Sequence, residues 1–283
     1  MREINLDPPP DAAPTNTFLI YGDSRSGKTT FAGSFPRPLF LADATEGGWD
    51  SLMNPPEDGL FEPGVKPLVW AIETMTDMAE AMAKAAPLIA QGRVKTIVID
   101  SLTFYTDLYL ASLLRLQGKP DMRQVYGTLG NHLRDLRVQM HGLGCNIVWL
   151  ALTKHPSEDD PMGGPMIPGQ QAAKFMAGVH YVFHARTHQE KRGQELLPMQ
   201  FQVRTRKFMN YIAGNRLGAL AASLPDPLVG TYATLLDALG YDIDAVRGKP
   251  VPPVAPVRAP VVARAPMLAP PRRVVPAAPA KPL

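Results

Sequence analysis

The stretch Thr17-Phe18-Leu19-Ile20-Tyr21-Gly22-Asp23-Ser24-Arg25-Ser26-Gly27-Lys28-Thr29-Thr30 runs from an apolar segment through two glycines into a Lys-Thr pair. Residues 22–29 fit Gly-x-x-x-x-Gly-Lys-[Ser/Thr], which is a phosphate-binding loop when a strand precedes it and a helix follows. Both flanks have the right character: 17–21 is a short apolar run that reads as a buried strand, and 30–34 can open a helix. Gly22 and Gly27 let the backbone turn tightly and aim successive N–H groups at phosphates, and the positive end of the helix dipole adds to them. On this reading Gly22, Asp23, Ser24, Arg25, Ser26, Gly27 and Thr30 surround the phosphates of a nucleotide. Lys28 reaches the β- and γ-phosphates as a point charge, and Thr29 offers its hydroxyl to Mg2+, a hard cation that takes oxygen ligands.

Working outward, 38–42 and 67–72 read as further strands, 96–100 as a wholly apolar strand ending in Asp100, and 146–152 as another buried strand. Methionines at 75, 78 and 82 give 74–91 a helical period, with Pro87 expected to distort its end. Helices are expected at 102–116, 126–141, 172–177 and 228–239, strands near 180–186 and 201–206, and a Pro/Gly-rich loop over 156–169. Apolar strands alternating with helices predict an α/β fold, a mainly parallel sheet covered on both faces.

The 283 residues and 45% hydrophobic content suffice for a sizeable core. A single cysteine, Cys145, excludes an intramolecular disulfide and a Cys-based zinc site, which fits a reducing compartment. The first fourteen residues carry acids and three consecutive prolines and do not resemble a signal peptide, and no segment approaches the roughly 18–20 apolar residues of a membrane span, so a soluble cytoplasmic protein is expected. The net charge of +3 conceals an asymmetry: 247–283 holds seven of the 29 Lys and Arg, eleven prolines and no acid, leaving 22 basic against 26 acidic residues in the body. The expected organisation is a flexible segment 1–14, a folded nucleotide-binding domain 15–245 and a disordered basic tail 246–283, read either as a solvated linker or as a salt-sensitive arm for nucleic acid or an acidic partner.

Asp100, at the carboxyl end of its strand, stands where a Mg2+-orienting carboxylate belongs in such a site. Hydrolysis also needs a carboxylate to orient the attacking water; Glu46, in the turn after 39–42, is the first choice and Glu73, after the next strand, the second. His180, His184 and His188 recur every four residues, but on a strand they lie more than a dozen ångströms apart, at ~3.3 Å per residue, too far to share an ion.

Four segments together resemble the RecA/RadA recombinase ATPase core, and most closely the short phage nucleotide-binding proteins regarded as core-only recombinases. They are the loop 22–29; Asp43-Ala44-Thr45-Glu46-Gly47, similar to the Asp-Thr-Glu-Gly of RadA-type enzymes; Ile97-Val98-Ile99-Asp100-Ser101-Leu102; and the run from Gly127 through His155 into Gly169-Gln170-Gln171-Ala172-Ala173-Lys174-Phe175. The resemblance covers about residues 15–245 and implies ATP and Mg2+ as cofactors, ATP hydrolysis with Glu46 and Lys28 as catalytic residues, and a homo-oligomer. It implies that Lys174 reaches the γ-phosphate of a neighbouring subunit and that Lys154 or His155 senses the γ-phosphate. Arg115, Lys119 and Arg123 fall in the stretch similar to the first DNA loop, and Met162, Met166 and Ile167 in the second loop can wedge between bases. The implied partners are single-stranded DNA and a single-strand-binding or other recombination protein, with no membrane. Glu158, Asp159 and Asp160 in the second loop would repel a phosphate backbone, which keeps open a nucleotide-dependent assembly switch that binds protein instead; a helicase-type motor is a third reading.

Overall fold

The computed structural model describes residues 15–45, 47–53, 60–116, 121–192 and 195–247. Segment 1–14, Glu46, Lys119 and the proline-rich stretch after 247 lie outside the described residues. In chain order the elements are β1 (Thr17–Gly22), α1 (Lys28–Gly33), β2 (Pro38–Asp43), β3 (Leu68–Ile72), α2 (Met75–Ala90), β4 (Thr96–Asp100), α3 (Leu102–Leu116), α4 (Met122–His141) and β5 (Asn146–Ala151). They continue with β6 (Thr153–Lys154), β7 (Gly164–Pro165), α5 (Gln171–Met176), β8 (Tyr181–His188), β9 (Lys191–Arg192), β10 (Glu195–Leu196), β11 (Gln200–Arg204), β12 (Gly214–Asn215), β13 (Leu228–Val229), α6 (Tyr232–Ala238) and α7 (Ile243–Arg247). Short 3-10 helices cover Gly47–Leu52 and Gly218–Ser223.

The main sheet runs β13-β11-β8-β1-β5-β4-β2-β3, with β12 also paired to β8. From β3 to β8 every pairing is parallel, while β11, β12 and β13 add antiparallel. One strand, β5, separates the loop-bearing β1 from β4, and Leu150 pairs with Ile20 on one side and Asp100 on the other. Ile20, two residues before the end of β1, therefore stands level with Asp100, two strand spacings away, which puts the loop after β1 and Asp100 at the carboxyl edge where ligands of parallel sheets bind. This is the expected α/β architecture, a mainly parallel sheet with helices on both faces.

Strand alternation divides the core between two faces. Leu19, Tyr21, Ile97, Ile147 and Trp149 pack with residues of α2 to α5 such as Ala85, Tyr105, Leu133 and Phe175. Phe18, Ile20, Val98 and Val148 point the other way, to Phe31 and Phe35 around α1 and to Tyr232 and Leu235 of α6. All six residues of β1 are buried, as a strand covered on both faces requires. Phe35 and Tyr232 stack at 4.1 Å between centroids, an aromatic pair worth about 1 kcal/mol beyond its area.

Several local expectations change. α4 starts at Met122, earlier than 126, because the Asp121 carboxylate caps it by accepting from the Arg123 N–H. The helix expected over 228–239 begins only at Tyr232: Leu228 and Val229 pair with β11, and Gly230 at φ +130 breaks the chain direction before the cap at Thr231. Pro87 lies inside α2, which continues to Ala90, since proline removes a single donor in the last turn. The stretch 156–169 is a tethered hairpin rather than an open loop: β6 pairs with β7, and Gly163 exchanges backbone hydrogen bonds with Asn210 and Ile212. Arg247, read as part of the tail, closes α7 and donates to the Phe61 carbonyl at 2.7 Å.

Candidate functional site

The loop between β1 and α1 is built by close approach. A Cβ on Gly22 would lie 2.4 Å from the Ala185 carbonyl of β8, and one on Gly27, at φ +84, would lie 2.5 Å from the Phe201 ring. Arg25 also takes a positive φ, so the backbone curls and Ser26 N–H closes a turn onto Asp23 O at 3.2 Å. The curl fronts a cavity of about 710 Å3 lined by residues 24–30, Gly48, Ser51, Asp100, Ser101, Leu152 and Phe201. Ser26 is buried there, and its hydroxyl has no hydrogen-bond partner among the described residues.

Lys28, the first residue of α1, is buried and donates from Nζ to Gly22 O at 2.8 Å and Asp23 O at 2.7 Å. Its ammonium thus lies folded back onto the loop. Thr29 Oγ1 donates to Asp100 Oδ2 at 2.8 Å, bridging the loop helix to β4. Burial pushes the Asp100 carboxyl above the usual carboxylate range, against the opposing pull of the Thr29 hydrogen bond and the Lys28 charge. A hydroxyl and a carboxylate side by side form a hard-oxygen pair of the kind that holds Mg2+ together with phosphate oxygens. Among the described residues no group of three or more His, Cys, Asp or Glu side chains can cage a metal, His180, His184 and His188 included.

Glu46 lies outside the described residues; Gly48 and Ser51, which follow it in the chain, line the cavity. Asp43, which the sequence reading passed over as a separate actor, is buried at the end of β2 and accepts from the Thr45 N–H at 2.8 Å and from its hydroxyl. Glu73 stands past β3 at the sheet edge, exposed, its N–H donating to the Asp77 carboxylate in the cap of α2, and does not line the cavity.

Of the two candidate sensors, His155 is the one that touches the loop. Its Nε2 lies 3.1 Å from Asp23 Oδ1, and its Nδ1 lies 2.9 Å from the Tyr211 hydroxyl. Lys154 points elsewhere and pairs with Asp160. The Tyr211 ring stacks on His184, which stacks in turn on Tyr21, so β1, β8, the hairpin and the segment before β12 meet at one column of rings. Burial pushes the His184 imidazole down to about 4, with Arg186, His155 and Arg204 adding to the effect and Asp23 opposing it.

Lys174 is exposed on α5, beside Arg134 and Arg137 in a groove of about 380 Å3 separate from the lining of the phosphate cavity. Arg115 is exposed near the end of α3 and Arg123 near the start of α4; Lys119 lies outside the described residues. In the hairpin Met166 is exposed, but Ile167 is 4% exposed and belongs to the core, which removes it as a base-contacting wedge. Phe201 had no signal in the sequence, since antiparallel β11 brings it to the loop from far along the chain.

A family model described as an AAA domain matches residues 15–217. A solved KaiC-like protein from the hyperthermophilic archaeon Pyrococcus horikoshii OT3 is similar at 14% identity and a TM-score of 0.40, over 71% of this chain and 82% of that one. A search of curated proteins found no match. No helix among the described residues is long and apolar enough to cross a membrane. With its nucleotide loop, its strand-end acid and a family match over most of its length, this chain belongs to the AAA domain family of P-loop NTPases.

Proposed function

We propose that the chain binds ATP with Mg2+, hydrolyses it, and couples the cycle to single-stranded DNA as a core-only RecA-like protein of phage recombination or annealing. The observation that carries the reading is the convergence of Lys28, Thr29 and Asp100 on one cavity at the carboxyl edge of a parallel sheet. Lys28 exchanges its carbonyl contacts for phosphate oxygens, and the loop N–H groups hold the remaining ones. Thr29 and Asp100 would hold Mg2+, which when bound neutralises charge on the phosphates. Glu46 orients the attacking water. His155, tied to Asp23 of the loop and to Tyr211 beside the hairpin, carries the change in phosphate occupancy outward.

Arg115, Lys119 and Arg123 contact DNA phosphates, and exposed Met166 contacts bases. Lys174 lies outside its own cavity, which supports its reaching a neighbour's nucleotide in a homo-oligomer. A single-strand-binding or other recombination protein is the natural further partner. The test is steady-state ATP hydrolysis with and without single- and double-stranded DNA at two salt concentrations. Selective stimulation by single strands is the expected result; hydrolysis indifferent to DNA removes the DNA role. One observation favours a second reading, a protein-binding assembly switch: Glu158 and Asp159 are exposed on the hairpin, where they repel a phosphate backbone. Indifference to DNA at both salts selects that reading.

A further inference from the structure

The phosphate cavity continues into a second one. The smaller cavity, about 250 Å3, shares Ser26, Gly27, Thr30 and Phe201 with the larger and is otherwise walled by α1, β11 and the residues around β13. Thr29 and Asp100 line the first cavity and not the second, so the junction at Thr30 and Phe201 leads away from the metal-binding end. A nucleotide whose terminal phosphates lie near Thr29 and Asp100 would direct its nucleoside through that junction.

Phe201 is the group that meets it. The ring lies against Gly27, leaving no room there for a Cβ, yet it is 48% exposed. It sits two residues before Val203, on the same face of β11, and Val203 is buried in the core beneath α1. Phe201 therefore extends the covered face of the sheet past the last turn of packing and presents a ring to the groove. Ser34 and Thr231 are polar residues of the wall, which also includes Gln200 and Gln202 from the alternate positions of β11, with no Asp or Glu among the lining residues. A carboxylate is the acceptor that would single out the paired N–H donors of guanine.

We infer that this groove is the base subsite and that Phe201 is its stacking platform, so that the site takes purine nucleotides over pyrimidine ones and separates adenine from guanine only weakly. The inference rests on the nucleotide-binding reading above. Stacking of a base on an aromatic ring responds to the size of the π-face rather than to the pattern of edge hydrogen bonds.

The test is equilibrium binding of ATP, GTP, CTP and inorganic tripolyphosphate to the full chain and to Phe201→Ala, Phe201→Leu and Phe201→Tyr. The expected wild-type result is ATP and GTP within about threefold of each other and CTP at least about fivefold weaker. Phe201→Ala and Phe201→Leu should each weaken ATP about tenfold and leave tripolyphosphate unchanged, while Phe201→Tyr restores ATP binding. Tripolyphosphate reports the folded phosphate loop in each variant, and the leucine variant gives the same contrast if alanine fails to fold. Equal losses for ATP and tripolyphosphate, no loss for either, or CTP binding as well as ATP overturns the stacking role while leaving the nucleotide reading in place. A wild-type chain that binds neither ATP nor tripolyphosphate overturns the nucleotide reading itself.

Discussion

Thr29 Oγ1 donates to Asp100 Oδ2 at 2.8 Å, joining the phosphate loop to a strand two places away in the sheet. The bond satisfies a carboxylate that burial would otherwise leave costly, and the raised pKa of Asp100 records that the cost is not fully offset. A group placed against its own stability is the mark of a functional position. Asp100→Asn keeps an acceptor for Thr29 and removes the charge. We expect Mg2+-dependent ATP turnover to fall by about 100-fold or more while the thermal midpoint of the nucleotide-free protein rises. Turnover near wild type, or a lower midpoint, would contradict this account.

Lys28 is buried with its ammonium on two loop carbonyls, Gly22 O and Asp23 O. Alanine there removes both the charge proposed to meet phosphate and a strap across the loop. The expected outcome for Lys28→Ala is loss of nucleotide-dependent activity. Normal ATP hydrolysis by this variant would remove the central assignment.

The parts of this site that sequence makes visible are those carried by local chain. Residues 22–29 form one continuous loop, and Asp100 ends a run of apolar residues that only a buried strand explains. The spacing of the β-strands, and hence the parallel sheet, follows from the same runs. What long-range pairing assembles was not visible: Phe201 reaches Gly27 because β11 returns antiparallel beside β8. The choice between Lys154 and His155 was open for the same reason, since only the hairpin of β6 and β7 decides which neighbour faces Asp23. The 156–169 stretch reads as a free loop from its prolines and glycines, yet Gly163 is glycine because a Cβ would lie 2.6 Å from the Tyr211 ring that pins it.

That pinning gives Tyr211 two separable functions. Its ring stacks on His184 at 4.5 Å, and its hydroxyl meets His155 at 2.9 Å. Tyr211→Phe keeps the first and removes the second, an exposed hydrogen bond whose loss costs about 1 kcal/mol or less. If His155 transmits the state of the loop, this variant should hydrolyse ATP at a rate within about threefold of wild type but lose most of its stimulation by single-stranded DNA. Comparing stimulated and unstimulated rates checks this, and an unchanged ratio removes His155 and Tyr211 from the coupling route.

His184 makes the stability of the fold depend on pH with a definite sign. It is 8% exposed, held between the Tyr21 and Tyr211 rings, and its imidazole is pushed down to about 4 by burial. In the unfolded chain it titrates near 6.5, so between about pH 6.5 and 4 the unfolded state binds the extra proton. Its contribution is therefore complete above pH 6.5 and is lost as pH falls toward 4, amounting to roughly 2–3 kcal/mol by pH 4.5. His184→Phe preserves a ring between the two tyrosines and removes the titration. We expect the wild-type thermal midpoint to drop between pH 7 and pH 4.5 by about 5–10 °C more than that of the variant, at the ~2–4 °C per kcal/mol usual for a domain of this size. Parallel pH profiles for the two proteins would show that His184 is protonated as readily in the fold as outside it.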